Sequence, residues 1–337
     1  MGDILHSLPA VAALRASLPS AVIGWAVEER WSALLSTPAG RIGPRGAEKP
    51  LVDNIHIVNT RAWRKSPFSP ETWKAMRQSI GGMRAVGYDA SLDIQGAMKS
   101  AMLGSFVRPR RKFGFAKPWE SAAAIFYDQT VPASGTHIAE QNLSLAMALG
   151  AQGSAANPYP IPVDPLTEAW AERELKPGRE FAILNPGAGW GSKCWPAEGF
   201  GEVARRLAAS GIESVVNFGP DEESLASEVE TSSQGAARKI SGSLAELIAL
   251  TRRASLFIGG DTGPLHLAVA LNTPSIALFG PTDPARNGPY GGQATVLRSP
   301  QSLTSHKRTS HLDDGLAEIS VEQVMTAASK VLGRNVG

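Results

Sequence analysis

Short apolar runs alternate with longer segments of helical period along almost the whole chain. In the first half, AVIGWAV (21–27), NIHIV (54–58), YDASLDI (88–94) and KFGF (112–115) have the length and composition of strands. Between them, ETWKAMRQSIGGMRAV and the later HIAEQNLSLAMALG space their apolar residues as helices do. The second half is cleaner: FAILNPG, ESVVNFG, ARKISG and LFIGG are each followed by a helical segment, and SIALFG and ATVLRS come after them. Near-continuous apolar strands separated by helices imply parallel strands buried on both faces. The stretch AQGSAANPYPIPVDP (151–165) breaks both patterns with its prolines and small residues, and reads as a linker. The expected fold class is therefore α/β, with two doubly wound lobes and a cleft between them. The N-terminal lobe would run over 1–152, the linker over 153–166 and the C-terminal lobe over 167–337. The polar stretch 301–315 reads as a surface loop. A last helix at about 320–332 is expected to pack back across the cleft or onto the first lobe.

Composition narrows the classes of function. The chain has 337 residues, 43% hydrophobic and 19% charged, which fits globular domains and excludes wholesale disorder. A net charge of +2 is too small to draw the whole molecule to nucleic acid, so no nucleic-acid partner is expected. The single cysteine, Cys194, excludes an internal disulfide framework and suits a reducing cytoplasm. No apolar run is long enough to span a bilayer. The N-terminus lacks a basic leader and carries Asp3 and Arg15 within its apolar part, unlike a signal peptide. A cytoplasmic protein is expected.

Four loops fall at strand carboxyl ends, where doubly wound sheets bind ligands. In LNPGAGWGSKCWP (184–196), glycines 187, 189 and 191 permit positive φ and close backbone approach to an anion, and Lys193 adds a full charge. The same loop also reads as a flexible connection with a solvent lysine, and Cys194 as a packing residue. In GGDTGPLHLA (259–268), Asp261 or Thr262 caps a helix whose first turn holds Gly263 and Pro264. Its amides and dipole suit phosphate, and His266 lies one turn in. A capped helix with a core histidine fits the same residues. NFGPDEE (217–223) places acids at a helix start, favoured by the dipole alone or used to accept ribose hydroxyls. The Gly/Pro-rich ALFGPTDPARNGPYG (277–291) turns the chain and would form part of a cleft wall.

Taken together, PGA…KxWP, GxxxE, DTGPLHLA and FGPTDP, in this order and spacing, resemble the ADP-heptose:lipopolysaccharide heptosyltransferases of glycosyltransferase family 9. The opening GDILHSLPA resembles that family's N-terminal loop and helix, and the resemblance is densest from 181 to 291. It implies the GT-B architecture, with the C-terminal Rossmann-like lobe holding ADP-heptose and the N-terminal one the acceptor. By similarity, Lys193 would neutralise the donor diphosphate, and Thr262 and Gly263 would bind phosphate. Asp261 and His266 would hold the heptose and diphosphate region. Glu223, or Glu222 one register away, would take the adenosine ribose. Asp3, in the GDxLH motif, would be the general base; on the residues alone it is equally an N-cap. No DxD and no set of carboxylates and histidines at ligand spacing is present, so neither a catalytic metal nor a cofactor is required by the sequence.

The implied acceptor is the anionic Kdo–lipid A portion of lipopolysaccharide. Arg61, Arg64 and Lys65, and the run Arg108, Arg110, Arg111 and Lys112 with Lys117, supply positive charge in the first lobe, and Lys99 resembles an acceptor-side lysine. Phe113, Phe115 and Trp119 interleave the second run and are candidates to touch lipid or sugar, although a charge run also makes an ordinary solvated face. Peripheral contact with the inner membrane is consistent with such local charge. One departure from the family stands at the start, where Met1 directly precedes Gly2-Asp3 and the short apolar strand ahead of this motif is missing. Either the start has been placed too late and the protein is longer, which the local consistency of the rest favours, or the acceptor lobe is damaged. The alternatives are another GT-B sugar-nucleotide enzyme, or a catalytically silent sugar-nucleotide-binding protein on account of the truncated start.

Overall fold

The computed structural model describes residues 1–305 and 311–336. The chain forms two compact units, one of His6–Asp164 and one of Pro165–Gly337 together with Met1–Leu5. Residues 151–164 hold neither helix nor strand.

The N-terminal unit runs α1 (Gly2–Ser17), β1 (Gly24–Glu28), β2 (Asn54–Val58), α2 (Thr60–Lys65), α3 (Pro70–Val86), β3 (Ala90–Asp93), α4 (Met98–Phe106), β4 (Arg111–Phe115), β5 (Gln129–Val131) and α5 (Ile138–Ala148). Short 3-10 turns cover Glu29–Leu34, Ala39–Arg41 and Ser121–Phe126. The boundaries of α3 follow local rules. Ser69 Oγ accepts from the Thr72 amide, Pro70 opens the first turn, and Gly87 closes the helix at φ 73°.

Its strands form two parallel sheets, β1-β2 and β3-β4-β5, and among the described residues no strand joins β1 to β3. The two sheets nevertheless share one apolar cluster. Ala10, Ala13 and Leu14 of α1 pack with Ala146 and Ala151, and Ile23, just before β1, and Leu92 of β3 lie against them. Arg15 reinforces the β1 side, donating to Asp53 Oδ2 at 2.5 Å and to the carbonyls of Leu51 and Ala21. The strand β5 escapes a pattern reading because it has three residues and two are exposed, so it carries no apolar run.

In the C-terminal unit, α6 (Pro165–Glu174) precedes β6 (Phe181–Asn185), α7 (Ala197–Ala209), β7 (Glu213–Asn217), α8 (Glu223–Ser232), β8 (Ala237–Ile240) and α9 (Leu244–Arg253). Then follow β9 (Leu256–Gly260), α10 (Gly263–Ala270), β10 (Ser275–Phe279), α11 (Pro284–Asn287), β11 (Ala294–Arg298), α12 (Asp314–Ala317) and α13 (Val321–Leu332). All six strands are parallel in the order β11-β10-β9-β6-β7-β8.

Alternation sorts the core. Leu184, Val216, Ile258 and Leu278 face α7 and α13 through Phe200, Val203, Leu207, Val324 and Met325. Ile183, Val215, Phe257 and Phe279 face α9 and α10 through Ala249, Leu250, Leu265 and Val269. Full burial of one such side chain contributes roughly 1.5–3 kcal/mol, so the two layers dominate this unit's stability. The buried face of the closing helix lies in its own unit. Its Val324, Met325, Ala327 and Ala328 belong to the core of the C-terminal unit, because its apolar stripe is continuous with that of α7. Of the expected surface loop 301–315, residues 306–310 lie outside the described residues.

Candidate functional site

From β6 the C-terminal sheet grows in one direction through β7 and β8, then resumes on the other side of β6 with β9, β10 and β11. Loops leaving β6 and β9 at such a reversal splay apart, and the space beyond their carboxyl ends is where doubly wound sheets take ligands. The two loops that carry most of the candidate donor residues, 184–196 and 259–268, are the ones that flank this point.

A 3-10 turn at Gly191–Lys193 follows β6 and aims Lys193 across the reversal. Its Nζ lies 2.5 Å from Asp261 Oδ2 and 4.5 Å from the centre of the Trp190 ring. The other Asp261 oxygen meets His266 Nε2 at 3.2 Å. Lys193 and Asp261 expose only 10% and 9% of their side chains, and His266 is buried as well. Burial works to raise the Asp261 pKa, but the His266 hydrogen bond and the neighbouring Lys193 and His266 charges override it and hold the group well below the usual carboxylate range. The cluster is thus an ionised carboxylate clamped between a lysine and a histidine. Burial pushes the Cys194 thiol up, away from nucleophile chemistry.

Thr262 stands at the N-cap of α10, yet its side chain bonds no first-turn amide and donates instead to the Gly260 carbonyl at 3.3 Å. The first-turn amides of α10 therefore lack a side-chain cap. Met1 packs its side chain on Gly263 so closely that a Cβ there would sit 2.5 Å from the Met1 methyl carbon. The next residue, Gly2, lies over His266, and Asp3 follows it, exposed, in the first turn of α1.

The glycines of the first loop act differently from the expectation. None of Gly187, Gly189 and Gly191 has positive φ. What Gly187 provides is room: a Cβ there would lie 2.2 Å from the Glu222 carboxyl carbon. Glu222 Oε2 also accepts from the Gly219 amide at 2.8 Å. Glu223, by contrast, starts α8 with 71% of its side chain exposed and lies 3.8 Å from Lys239.

Asn185 ties the arrangement together. Buried at the end of β6, it donates to the Gly187 carbonyl at 3.0 Å and to Thr262 Oγ1 at 3.5 Å, and accepts from Asn217 at 2.6 Å. The sequence reading missed Asn185, Asn217 and Trp190. A polar residue closing the otherwise apolar run FAILN was the signal available for Asn185.

The acceptor candidates all lie in the N-terminal unit. Lys99, in the first turn of α4, and Lys117, just after β4, are exposed. Their loops touch: the Glu120 amide donates to the Gly96 carbonyl at 2.9 Å, and Glu120 Oε2 accepts from the Met98 amide at 2.7 Å. Arg64 and Lys65 are exposed in the last turn of α2. The run 108–112 departs from the picture of an open basic patch with aromatic rings. Arg110 is 3.8 Å from Asp89 and Lys112 is 3.2 Å from Asp128. Arg111 stacks on Phe113, and Phe113 and Phe115, on one face of β4, are buried. Of the three aromatics only Trp119 remains exposed. Among the described residues no group of three His, Cys, Asp or Glu side chains is placed to hold a metal ion. No helix among them is long and apolar enough to cross a membrane.

The profile of glycosyltransferase family 9 (heptosyltransferase) matches residues 76–314. The chain belongs to glycosyltransferase family 9. Its family relatives include lipopolysaccharide heptosyltransferase 1 of Escherichia coli K12, 30% identical over 321 residues, covering 89% of this chain and 91% of that one. The enzyme of the same name from Pseudomonas aeruginosa PAO1 is 29% identical over 311 residues, 89% of this chain and 81% of its own. Among solved structures, E. coli heptosyltransferase WaaC with ADP-2-deoxy-2-fluoro heptose superposes with a TM-score of 0.76 at 25% identity, over 98% of this chain and 96% of that one. The α/β fold expected from the strand pattern, and the GT-B architecture implied by the resemblance, are those of these family 9 structures, and the family member described here is a glycosyltransferase.

Proposed function

We propose that this family 9 protein is an inverting transferase that moves a heptose from ADP-heptose to the Kdo/heptose inner core of lipopolysaccharide, without a metal or other cofactor. The observation that carries the reading is the clamped Lys193–Asp261–His266 cluster beside the uncapped start of α10, on the two loops that flank the sheet's reversal. It is supported by relatives named lipopolysaccharide heptosyltransferase and by a similar structure holding an ADP-heptose analogue.

As the anomeric bond breaks, negative charge grows on the departing diphosphate. Lys193 and the Thr262 and Gly263 amides are the groups that meet that charge, and they bind it more strongly in the transition state than in the ground state. Asp261 orients Lys193 and His266, and its carboxylate is suited to heptose hydroxyls. Glu222, which faces the first loop, is the better placed of the two glutamates for the adenosine ribose, with Glu223 at the outer edge. Asp3 accepts the acceptor hydroxyl's proton late in the attack; a carboxylate of ordinary pKa ~3.9 is ionised and ready at neutral pH. Arg64, Lys65, Lys99 and Lys117 bind the anionic Kdo–lipid A acceptor. A cytoplasmic enzyme in peripheral contact with the inner membrane follows from a lipid-anchored acceptor.

The test is product analysis with ADP-heptose and a panel of truncated lipopolysaccharide acceptors. Glu222→Ala is expected to raise the donor KM about tenfold, the loss of one charge-assisted hydrogen bond, while Glu223→Ala changes it less than about twofold. A folded chain that binds ADP but transfers no heptose to any Kdo-type acceptor would sink the reading.

A further inference from the structure

The N-terminal unit gathers bare aromatic rings and unpaired cations on one helical hairpin. Residues 66–69 join α2 to α3, and Phe68 in that turn is 91% exposed. Trp73, in the next turn of chain, is 51% exposed. Around them Arg61, Arg64, Lys65, Lys74 and Arg77 all reach solvent. Among the described residues none of these five is paired with a carboxylate, in contrast to Arg110 and Lys112. The only acid between 60 and 86 is Glu71, and the Ser69 hydroxyl donates to it.

Helical spacing sets Lys74 opposite the buried Thr72 and Met83, with Trp73 and Arg77 on the exposed flank between them, while Arg84 further along donates to the Phe106 carbonyl. The hairpin thus has an inner edge fixed to its unit and an outer edge of cations with two large rings among them. An acidic folded partner would have to offer pockets for both rings. A lipid surface needs none, because rings enter the headgroup layer while the cations meet lipid phosphates.

We propose that the α2–α3 hairpin docks the protein on an anionic phospholipid bilayer, with Phe68 and Trp73 inserted and Arg61, Lys74 and Arg77 on the phosphates. The proposal deepens the functional reading, because a lipid-anchored acceptor must be met at the bilayer, but its test does not use transfer. The full chain is floated with vesicles of phosphatidylcholine alone or of phosphatidylcholine with phosphatidylglycerol. It should float with the anionic vesicles, release as salt is raised, and stay behind with the neutral ones. Phe68→Ser with Trp73→Ser, and separately Lys74→Glu with Arg77→Glu, should each lower partitioning roughly tenfold or more. Both pairs should leave thermal melting and transfer to a lipid-free acceptor unchanged. A chain that ignores anionic vesicles, that floats equally with neutral ones, or whose flotation survives both double variants overturns the proposal. Intact flotation by a chain that transfers no heptose would sink the functional reading and leave this one standing.

Discussion

The C-terminal unit builds six parallel strands into one sheet, and its central pair, Phe181–Asn185 and Leu256–Gly260, is buried at every position. The N-terminal unit divides five parallel strands between two sheets, and β1, β2 and β3 are only half buried along most of their length. Both units use the same βα grammar, so the difference lies in pairing. A strand bonded on both edges and covered on both faces can place a buried charge at its end, because neighbouring strands hold the partner in register. The Lys193–Asp261–His266 cluster is set this way. At a comparable place in the N-terminal unit, the carboxyl end of β3, Asp93 takes the neutral Tyr127 hydroxyl at 2.7 Å and the amides of Gln95 and Gly96. Burial and the Asp93 carboxylate push the Tyr127 hydroxyl up, so that pair keeps one charge where the other unit holds three groups in a charged network.

The contrast is sharpened most by cutting each network. On the proposed reading, in which Lys193 meets the charge developing on the diphosphate, Lys193→Ala should lower kcat with ADP-heptose by about 10²–10³. Tyr127→Phe in the other unit should change turnover by less than about threefold and cost about 1 kcal/mol of stability, the worth of one hydrogen bond. Steady-state kinetics of the two variants side by side decide the matter. Equal losses would mean that the N-terminal network is also part of the chemistry.

Core truncation should give the next largest difference. Ile258→Ala, in the doubly covered β9, is expected to cost about 3 kcal/mol, and Ile55→Ala, in the half-buried β2, about 1 kcal/mol. Denaturant unfolding of both variants measures this. A larger loss at Ile55 would show that the two-stranded sheet is better buried than its exposure indicates.

The smallest expected effect is in pH. Burial lowers the His56 pKa below 6.5, so the folded protein binds fewer protons there than the unfolded chain. That contribution is complete above pH ~6.5 and fades as pH falls below it. Asp261, whose folded pKa is depressed, loses its contribution only below the unfolded value of ~3.9. Acidification from pH 7 to 5 should therefore loosen the N-terminal unit first, seen as faster amide exchange in β1 and β2 than in β6 and β9. His56→Asn should remove that early step. Simultaneous loosening of both units would argue against it.

Sequence alone was enough for the strand-and-helix alternation and the family, because these rest on local periodicity and on motifs whose residues are close along the chain. NIHIV was located to the residue as β2 at 54–58, and FAILN, ESVVN, ARKI, LFIGG, SIALF and ATVLR all became strands. Lys193, Asp261 and His266 could be named as candidates, since each sits in a short motif after an apolar run, and the fold brings their side chains together. The tertiary structure decided what depends on groups far apart in the chain. Asn185 gained its meaning only when β6 came to lie between β7 and β9, and Glu222 was distinguished from Glu223 by its approach to Gly187. The buried Phe113 and Phe115, the ion pairs of Arg110 and Lys112, and the docking of α13 on its own unit were likewise set by packing. A one-dimensional pattern records which residues avoid water. It does not record which of their neighbours arrive to exclude it, and at this site those neighbours fix the direction of every charge.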